Sequence, residues 1–252
     1  MQTVVLCILI FIAGFIDSIA GGGGLISVAS YMACGLNGAY ALGTNKFSSV
    51  LGSSVASFNY FKSGNYHAKS LIPSFVMALL GSTLGSRLAV LIPSYVFQII
   101  LLCATPFLLA LVLINKNFDR FVREGLSDAT YVLVGALIGL VVGFYDGLYG
   151  PGTGIIMQIG FIVILGLTAK KAGGNARIVN WASNVAAVIT FISAGTVVYS
   201  IAIPCAFCSV AGNYLGSRLA IKKDVKVIRP VMVVVVILLF IKVLLDYIGF
   251  SF

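Results

Sequence analysis

Gly14-Phe15-Ile16-Asp17-Ser18-Ile19-Ala20-Gly21-Gly22-Gly23-Gly24-Leu25-Ile26-Ser27 returns once in the chain, as Gly143-Phe144-Tyr145-Asp146-Gly147-Leu148-Tyr149-Gly150-Pro151-Gly152-Thr153-Gly154-Ile155-Ile156. Each copy sets an acidic residue and then a glycine-rich break inside an otherwise apolar segment. In hydrocarbon an unpaired backbone amide or carbonyl costs several kcal/mol, so broken helix at membrane depth survives only inside protein or against a cavity. Two such breaks at matching places in the two halves of a chain point to a transporter's binding site.

The duplication runs outward from the breaks. Asn37–Gly64 matches Thr168–Gly195, setting Gly43 on Gly174, Lys46 on Arg177 and Gly64 on Gly195. Leu84-Gly85-Ser86-Arg87-Leu88-Ala89 recurs unchanged as Leu215-Gly216-Ser217-Arg218-Leu219-Ala220. A repeat of this length, in register with the breaks, is the feature to establish before any other.

Composition places these repeats in a bilayer. Mean hydropathy is +1.10; 60% of residues are hydrophobic and 9% are charged, against about 25% charged in soluble domains. The apolar segments are Val4–Ala20, Leu25–Cys34, Phe47–Phe61, Leu71–Ile92 and Tyr95–Ile114, then Ala129–Tyr149, Ile155–Leu167, Ile178–Ala194, Val197–Ile221 and Pro230–Phe250. Leu25–Cys34 and Ile155–Leu167 are too short for ordinary spans and suit half-helices or re-entrant legs. The expected fold is an all-α polytopic membrane protein with about eight transmembrane helices. It is divided into a first repeat (1–118), a connection (119–128) and a second repeat (129–252).

Basic residues set the orientation. Lys62 and Lys69 lie between the third and fourth segments, whereas Leu91–Ser94 is uncharged. In the second half Gly195–Ser200 is uncharged, and Lys222, Lys223, Lys226 and Arg229 fill the next connection. Corresponding loops carry positive charge in only one half each, as two copies of opposite topology would under the positive-inside rule. The Asn115–Asp128 connection, with Lys116, Arg120 and Arg123, is then cytoplasmic together with Lys170 and Lys171, and both termini fall on the far side of the plasma (inner) membrane. The N-terminus has no cationic n-region and reads as a retained span. Each repeat must cross an odd number of times. Either its first two segments each cross, or they form one re-entrant hairpin followed by three spans; the short second leg favours the hairpin, whose Gly-rich tips would approach the midplane from opposite sides.

The formal charge of +9 follows from these loops, and no basic strip interleaved with aromatics suggests a nucleic acid. Cys7, Cys34, Cys103, Cys205 and Cys208 all lie in apolar stretches. Cys205-x-x-Cys208 has no second Cys or His pair, so these thiols read as small hydrophobes and no metal site or cofactor is expected. Gly38–Lys46 lacks the Gly-Lys-Ser/Thr order of a P-loop, and no nucleophile–His pair is present, so catalysis is not expected.

The candidate site is built for an anion. Helix N-termini offer free N–H groups and the positive end of the dipole; Gly22, Gly23 and Gly24 precede one half-helix, and Gly152, Thr153 and Gly154 the other. Such glycines could instead serve tight helix crossing, which is the reading for Gly81, Gly85, Gly212 and Gly216. Lys46, Ser49, Ser53 and Ser57 share one helical face, matched by Arg177, Asn180 and Asn184. The two cations read as facing inward rather than snorkelling to headgroups. Asn180 and Asn184 serve either substrate or interhelical hydrogen bonds, and Asn45 and Asn175 complete the candidate set. Asp17 and Asp146 could couple protons; capping the broken backbone or pairing with a cation is the favoured role.

At Gly14–Gly24, Ala41–Lys46 with Gly64, Leu84–Ala89, Gly143–Gly154, Asn180-x-x-x-Asn184 and Gly212–Ala220, the chain resembles the TauE/SafE sulfite-exporter family over nearly its whole length. The resemblance implies an ion-coupled or facilitative carrier, an exporter of sulfite, thiosulfate or organosulfonates, with proton or sodium as candidate coupling ion and homo-oligomerisation left open. Arg177 stands where the resemblance leads one to expect lysine; arginine can grip an oxyanion with two hydrogen bonds where lysine is a point charge. A passive small-anion channel, a carrier of another anion such as a carboxylate, and a membrane scaffold are the alternatives.

Overall fold

The computed structural model describes residues 2–93, 96, 97, 99, 121–123 and 125–222. Most of Tyr95–Ile114, half of Asn115–Asp128 and all of Pro230–Phe250 lie outside them, as do Cys103, Lys116, Arg120, Lys223, Lys226 and Arg229. Among the described residues the helices are α1 (Gln2–Ala20), α2 (Gly23–Ala33), α3 (Gly38–Lys62), α4 (Ala68–Leu91), α5 (Asp128–Leu148), α6 (Thr153–Val163), α7 (Ala169–Ser193) and α8 (Tyr199–Lys222).

Three of these, α1, α4 and α5, are long and apolar enough to cross a bilayer by themselves. Helices α3, α7 and α8 are as long, at 25, 25 and 24 residues, but carry their polar residues inside. Lys46, Asn175, Arg177, Asn184 and Asn213 are buried, while Val4, Ile8, Leu84, Leu133, Val141, Ile189 and Phe207 are exposed. Apolar outside and polar within is the arrangement a lipid solvent demands. Helices α3 and α7 begin at Gly38 and Ala169, about nine residues before the apolar runs expected at Phe47 and Ile178. Hydropathy locates only the apolar part of a helix; here the first turns are small and polar because they line the interior. Lys46 and Arg177 therefore lie within their helices, each 2% exposed.

The repeats have opposite sense. Lys46 meets Asn184, Trp181 meets Ser54 and Arg177 meets Ser57, so equivalent helices α3 and α7 run antiparallel. Phe11 and Phe15 of α1 lie against Gly212 and Gly216 of α8, which makes that pair parallel. The equivalent pair, α5 and α4, is parallel too: Gly135, Gly139, Gly143 and Gly147 lie on Ser70, Ser74, Ala78 and Ser82. Small residues one turn apart let these backbones approach; a Cβ on Gly81, Gly85, Gly212 or Gly216 would strike a backbone carbonyl of the neighbouring helix, as the packing reading of those glycines expects.

Helix α2 folds back on α1. A Cβ on Gly23 would run into the Ala13 carbonyl and Asp17, while Tyr31, further along α2, is packed with Leu6 and Ile10. Helix α6 returns along α5 in the same way, with Gly160 beside Ile138. Each repeat thus begins with a hairpin whose second leg is only 11 residues long. Tyr31 fastens the first hairpin to α3 through a 2.8 Å hydrogen bond with Ser48.

Candidate functional site

The two hairpin tips touch. Gly21 has φ +83°, and a Cβ there would overlap Gly154 and the Arg177 guanidinium; Gly24 rests on Gly150 and Pro151. Gly152 caps α6 at φ +80°. Any L side chain at Gly21 or Gly152 would be strained, and at Gly21 it would also push the tips apart. Between the tips and α3, α7 and α8 lies a cavity of about 30 Å³, room for a water or a small ion.

Most of the expected site residues border it. The hairpins contribute Gly23, Gly24, Thr153 and Gly154, and with them Asp17 and Asp146. Helix α3 contributes Asn45, Lys46 and Ser49, and α7 contributes Asn180 and Asn184. Gly22 and Gly152 lie in the tip turns immediately before these helices.

Asn175 lies away from this cavity, against the start of α4. Its side-chain oxygen accepts from the His67 amide at 2.8 Å and its Nδ2 donates to Ser70 at 2.9 Å, tying α7 to the start of α4. The helix explains it: two residues before Arg177 is a rotation of about 200°, onto the opposite face. Partial burial, and after it Lys171 and Lys69, hold the pKa of the nearby His67 ring below the ordinary histidine range, so the ring is neutral at pH 7. Asn175→Ala is expected to cost about 1–3 kcal/mol by leaving the His67 amide unpaired. The melting temperature should fall while the concentration for half-maximal transport stays put; a large rise in that concentration would return Asn175 to the site.

The two cations have different fates. Lys46 Nζ donates to Asp146 Oδ2 at 2.6 Å and to Asn184 Oδ1 at 2.8 Å, and Asp146 also accepts from the Ser183 hydroxyl. This ion pair is 3% and 2% exposed, and it joins α3 of one repeat to the hairpin of the other. Arg177, 2% exposed, has no such partner. Its Nη2 makes one long bond to Gln158 Oε1 at 3.4 Å, and its Nε and Nη1 have no hydrogen-bond partner. The Tyr60 hydroxyl is close enough to hydrogen-bond the guanidinium and Asp17 close enough to attract it, but among the described residues no carboxylate oxygen lies within ion-pairing distance of it. Asp17 instead accepts a hydrogen bond from the Gly23 amide, so one acidic residue caps broken backbone and the other pairs with a cation.

The guanidinium lies where both hairpin legs begin. Its Nη1 is the atom that a Cβ on either Gly21 or Gly154 would strike, so it sits at the N-terminal ends of α2 and α6. Free N–H groups, two helix dipoles and an unpaired cation converge there, an arrangement that attracts an anion. Arg87 and Arg218 are not part of it; both are exposed, and Arg218 stacks on Tyr214 at 4.3 Å.

Two further residues join the candidate set by position. Gln158 is the one polar side chain of the apolar run Ile155–Leu167, a signal visible in the sequence. Asn213 borders the cavity; it stands between the packing glycines Gly212 and Gly216, where the first repeat has Ser82.

Residues 6–243 match the family model described as sulfite exporter TauE/SafE. The chain is 36% identical over 241 residues to the probable membrane transporter protein ORF9 of a Sinorhizobium species, covering 94% of this chain and 90% of that protein. It is 32% identical over 247 residues to a probable membrane transporter protein of Haemophilus influenzae, covering 96% and 94%. Against the probable membrane transporter protein YfcA of Escherichia coli K12 the identity is 33% over 246 residues, covering 96% and 89%. No solved structure matches at a significant level.

Proposed function

From the premise that this chain belongs to the sulfite exporter TauE/SafE family and is a multi-pass membrane transporter, we propose that it carries a small sulfur-containing anion by alternating access. The anion is held where the hairpin tips meet, on Arg177, the Gly24 and Gly154 amides in the first turns of α2 and α6, and the side-chain amides of Asn180 and Asn184. Asn45 and Ser49 border the same space and belong to the seat on this reading, and Lys46 adds to it only as far as Asp146 leaves its charge free.

One observation carries the reading: a buried guanidinium with two unpartnered nitrogens at the contact of two broken helices. A buried cation without a partner is unfavourable for the folded protein, so its presence calls for a ligand that completes it. A sulfur oxyanion suits arginine, whose planar fork offers paired N–H donors. The family description names sulfite; thiosulfate and organosulfonates share its chemistry. The cavity of about 30 Å³ is smaller than such an anion, which supports a carrier that must rearrange its hairpins to load. Export across the plasma membrane, with the central connection cytoplasmic, is the direction and orientation proposed.

Counterflow in proteoliposomes tests it. With unlabelled sulfite, thiosulfate, taurine or a carboxylate loaded inside, labelled substrate is expected to accumulate transiently against its gradient with a sulfur anion. Flux without accumulation would make the protein a channel. Accumulation with the carboxylate alone would move the substrate to another class.

A further inference from the structure

The cavity has a second wall with the opposite chemistry. Asn213 of α8 is 3% exposed, and its Oδ1 has no hydrogen-bond partner. Its orientation is fixed: Nδ2 donates to the Ser209 carbonyl at 2.9 Å and reaches the Ser209 hydroxyl at 3.4 Å. Gly14 of α1 and Gly52 of α3 hold the amide from two sides, since a Cβ on either would collide with Nδ2. The amide cannot turn over without losing its donor contacts, so a buried acceptor is left facing the cavity that Asn213 lines.

Asp17 lines the same cavity, one helical turn beyond Gly14 on α1. Its carboxylate accepts only the Gly23 amide's hydrogen bond, and the charged groups facing it are Arg177 from α7, Asp146 from α5 and Lys46 from α3. Lys46 is already committed to Asp146 at 2.6 Å, and Arg177 is outside ion-pairing distance. A carboxylate and an amide oxygen, both short of a donor, thus face a space of about 30 Å³. Hard cations take oxygen ligands of this kind, and a buried acceptor left unpaired, as Asn213 Oδ1 is, is costly.

We propose that Asp17 and the Asn213 side-chain oxygen form a seat for a small monovalent cation, sodium or hydronium, that travels with the anion held on Arg177. The inference rests on the reading of the site as a carrier's anion seat. The cation lies in the cavity and the anion on Arg177 behind Gly21 and Gly154, two glycines that line that cavity, so opposite charges close together favour each other, and the coupling is reciprocal. Loading the pair neutralises the buried Arg177 and the partly buried Asp17 together.

The test is thermal unfolding of the purified full-length protein in detergent, without any anion substrate. Sodium replaces choline at constant ionic strength in one series, and pH is lowered in choline alone in the other. Sodium binding is expected to raise the melting temperature by about 3–5 °C at ten times its Kd. For hydronium the rise comes on acidification in choline instead. In either case Asp17→Asn and Asn213→Leu remove the response, and Arg177→Gln, which removes the anion seat, keeps it. Asn213→Leu alone decides the matter should Asp17→Asn fail to fold. A wild-type protein indifferent to both cations, or a response of equal size in Asn213→Leu, overturns the proposal. Sulfite counterflow run beside it separates the two readings. Exchange without a cation response removes the cation seat alone; a cation response without exchange of any sulfur anion removes the anion reading alone.

Discussion

Arg177→Gln is expected to abolish transport and to raise the melting temperature. Removing the charged partner of a buried contact to substrate typically costs about 2–5 kcal/mol, so transport at subsaturating substrate should fall at least thirtyfold, by roughly 1.4 kcal/mol for each factor of ten. Stability moves the other way because, in the absence of substrate, this guanidinium has no carboxylate partner, only the long bond to Gln158 at 3.4 Å and the neutral Tyr60 hydroxyl beside it. Taking one ion out of water carries a penalty of several kcal/mol in proteins even after relaxation. Asp17 loses some attraction, but it keeps the Gly23 amide and was never within ion-pairing range. A gain of about 1–3 kcal/mol, or roughly 3–10 °C, is the expected sum. Gln retains hydrogen-bonding capacity towards Gln158, so packing is largely preserved. Arg177→Lys is expected to fall between, keeping the charge and losing the fork. The paired measurement is initial-rate uptake in proteoliposomes and melting in detergent. A variant that transports normally, or one that melts well below wild type, would mean the guanidinium is structural and the seat lies elsewhere.

The architecture was legible because its cause is chemical and repeats. Glycine-rich breaks in apolar segments, a six-residue identity in register with them, and loop charge present in opposite halves lead to inverted repeats, each opening on a hairpin. Hairpin tips in contact, and polar stripes on α3 and α7 turned inward, follow from the same pattern. Asn175 lies on the other face of α7 from Arg177, because two residues turn a helix by about 200°, a separation that residue type alone does not reveal. The unequal fates of Lys46 and Arg177 were hidden by the duplication itself, which predicts that both cations pair with the facing carboxylate or that neither does. What breaks the symmetry is the supporting shell. Ser183 and Asn184 hold Asp146 and Lys46 in place, and the positions equivalent to them in the first repeat are Gly52 and Ser53. With glycine opposite, Asp17 has no hydroxyl to anchor it beside Arg177, and it turns to the Gly23 amide. Asn213 fills the room that Gly52 leaves. One small residue in place of a serine therefore accounts for an open half-site facing a closed one.

The closed half-site should behave as the opposite of the open one. Lys46→Met removes the cation from a pair that is 3% and 2% exposed, leaving the Asp146 carboxylate buried with only the Ser183 hydroxyl and Asn184's amide to meet it. Breaking a buried pair from one side typically costs about 3–5 kcal/mol, so the melting temperature should drop by roughly 10 °C. Asp146→Asn alone strands the ammonium in the same way and should cost a similar amount. The double variant Lys46→Met with Asp146→Asn leaves no charge behind; the Asn side chain can still accept from Ser183, and methionine fills the lysine's volume. Replacing a whole buried pair by neutral groups of similar size is often close to neutral. The double variant is therefore expected within about 1 kcal/mol of wild type, and the coupling between the two sites should exceed about 2 kcal/mol. Additive losses would show that Lys46 and Asp146 act independently, with the ammonium free to hold substrate itself. Strong coupling would place the pair as the clamp between α3 and the second hairpin, and leave Arg177 as the cation that meets the anion.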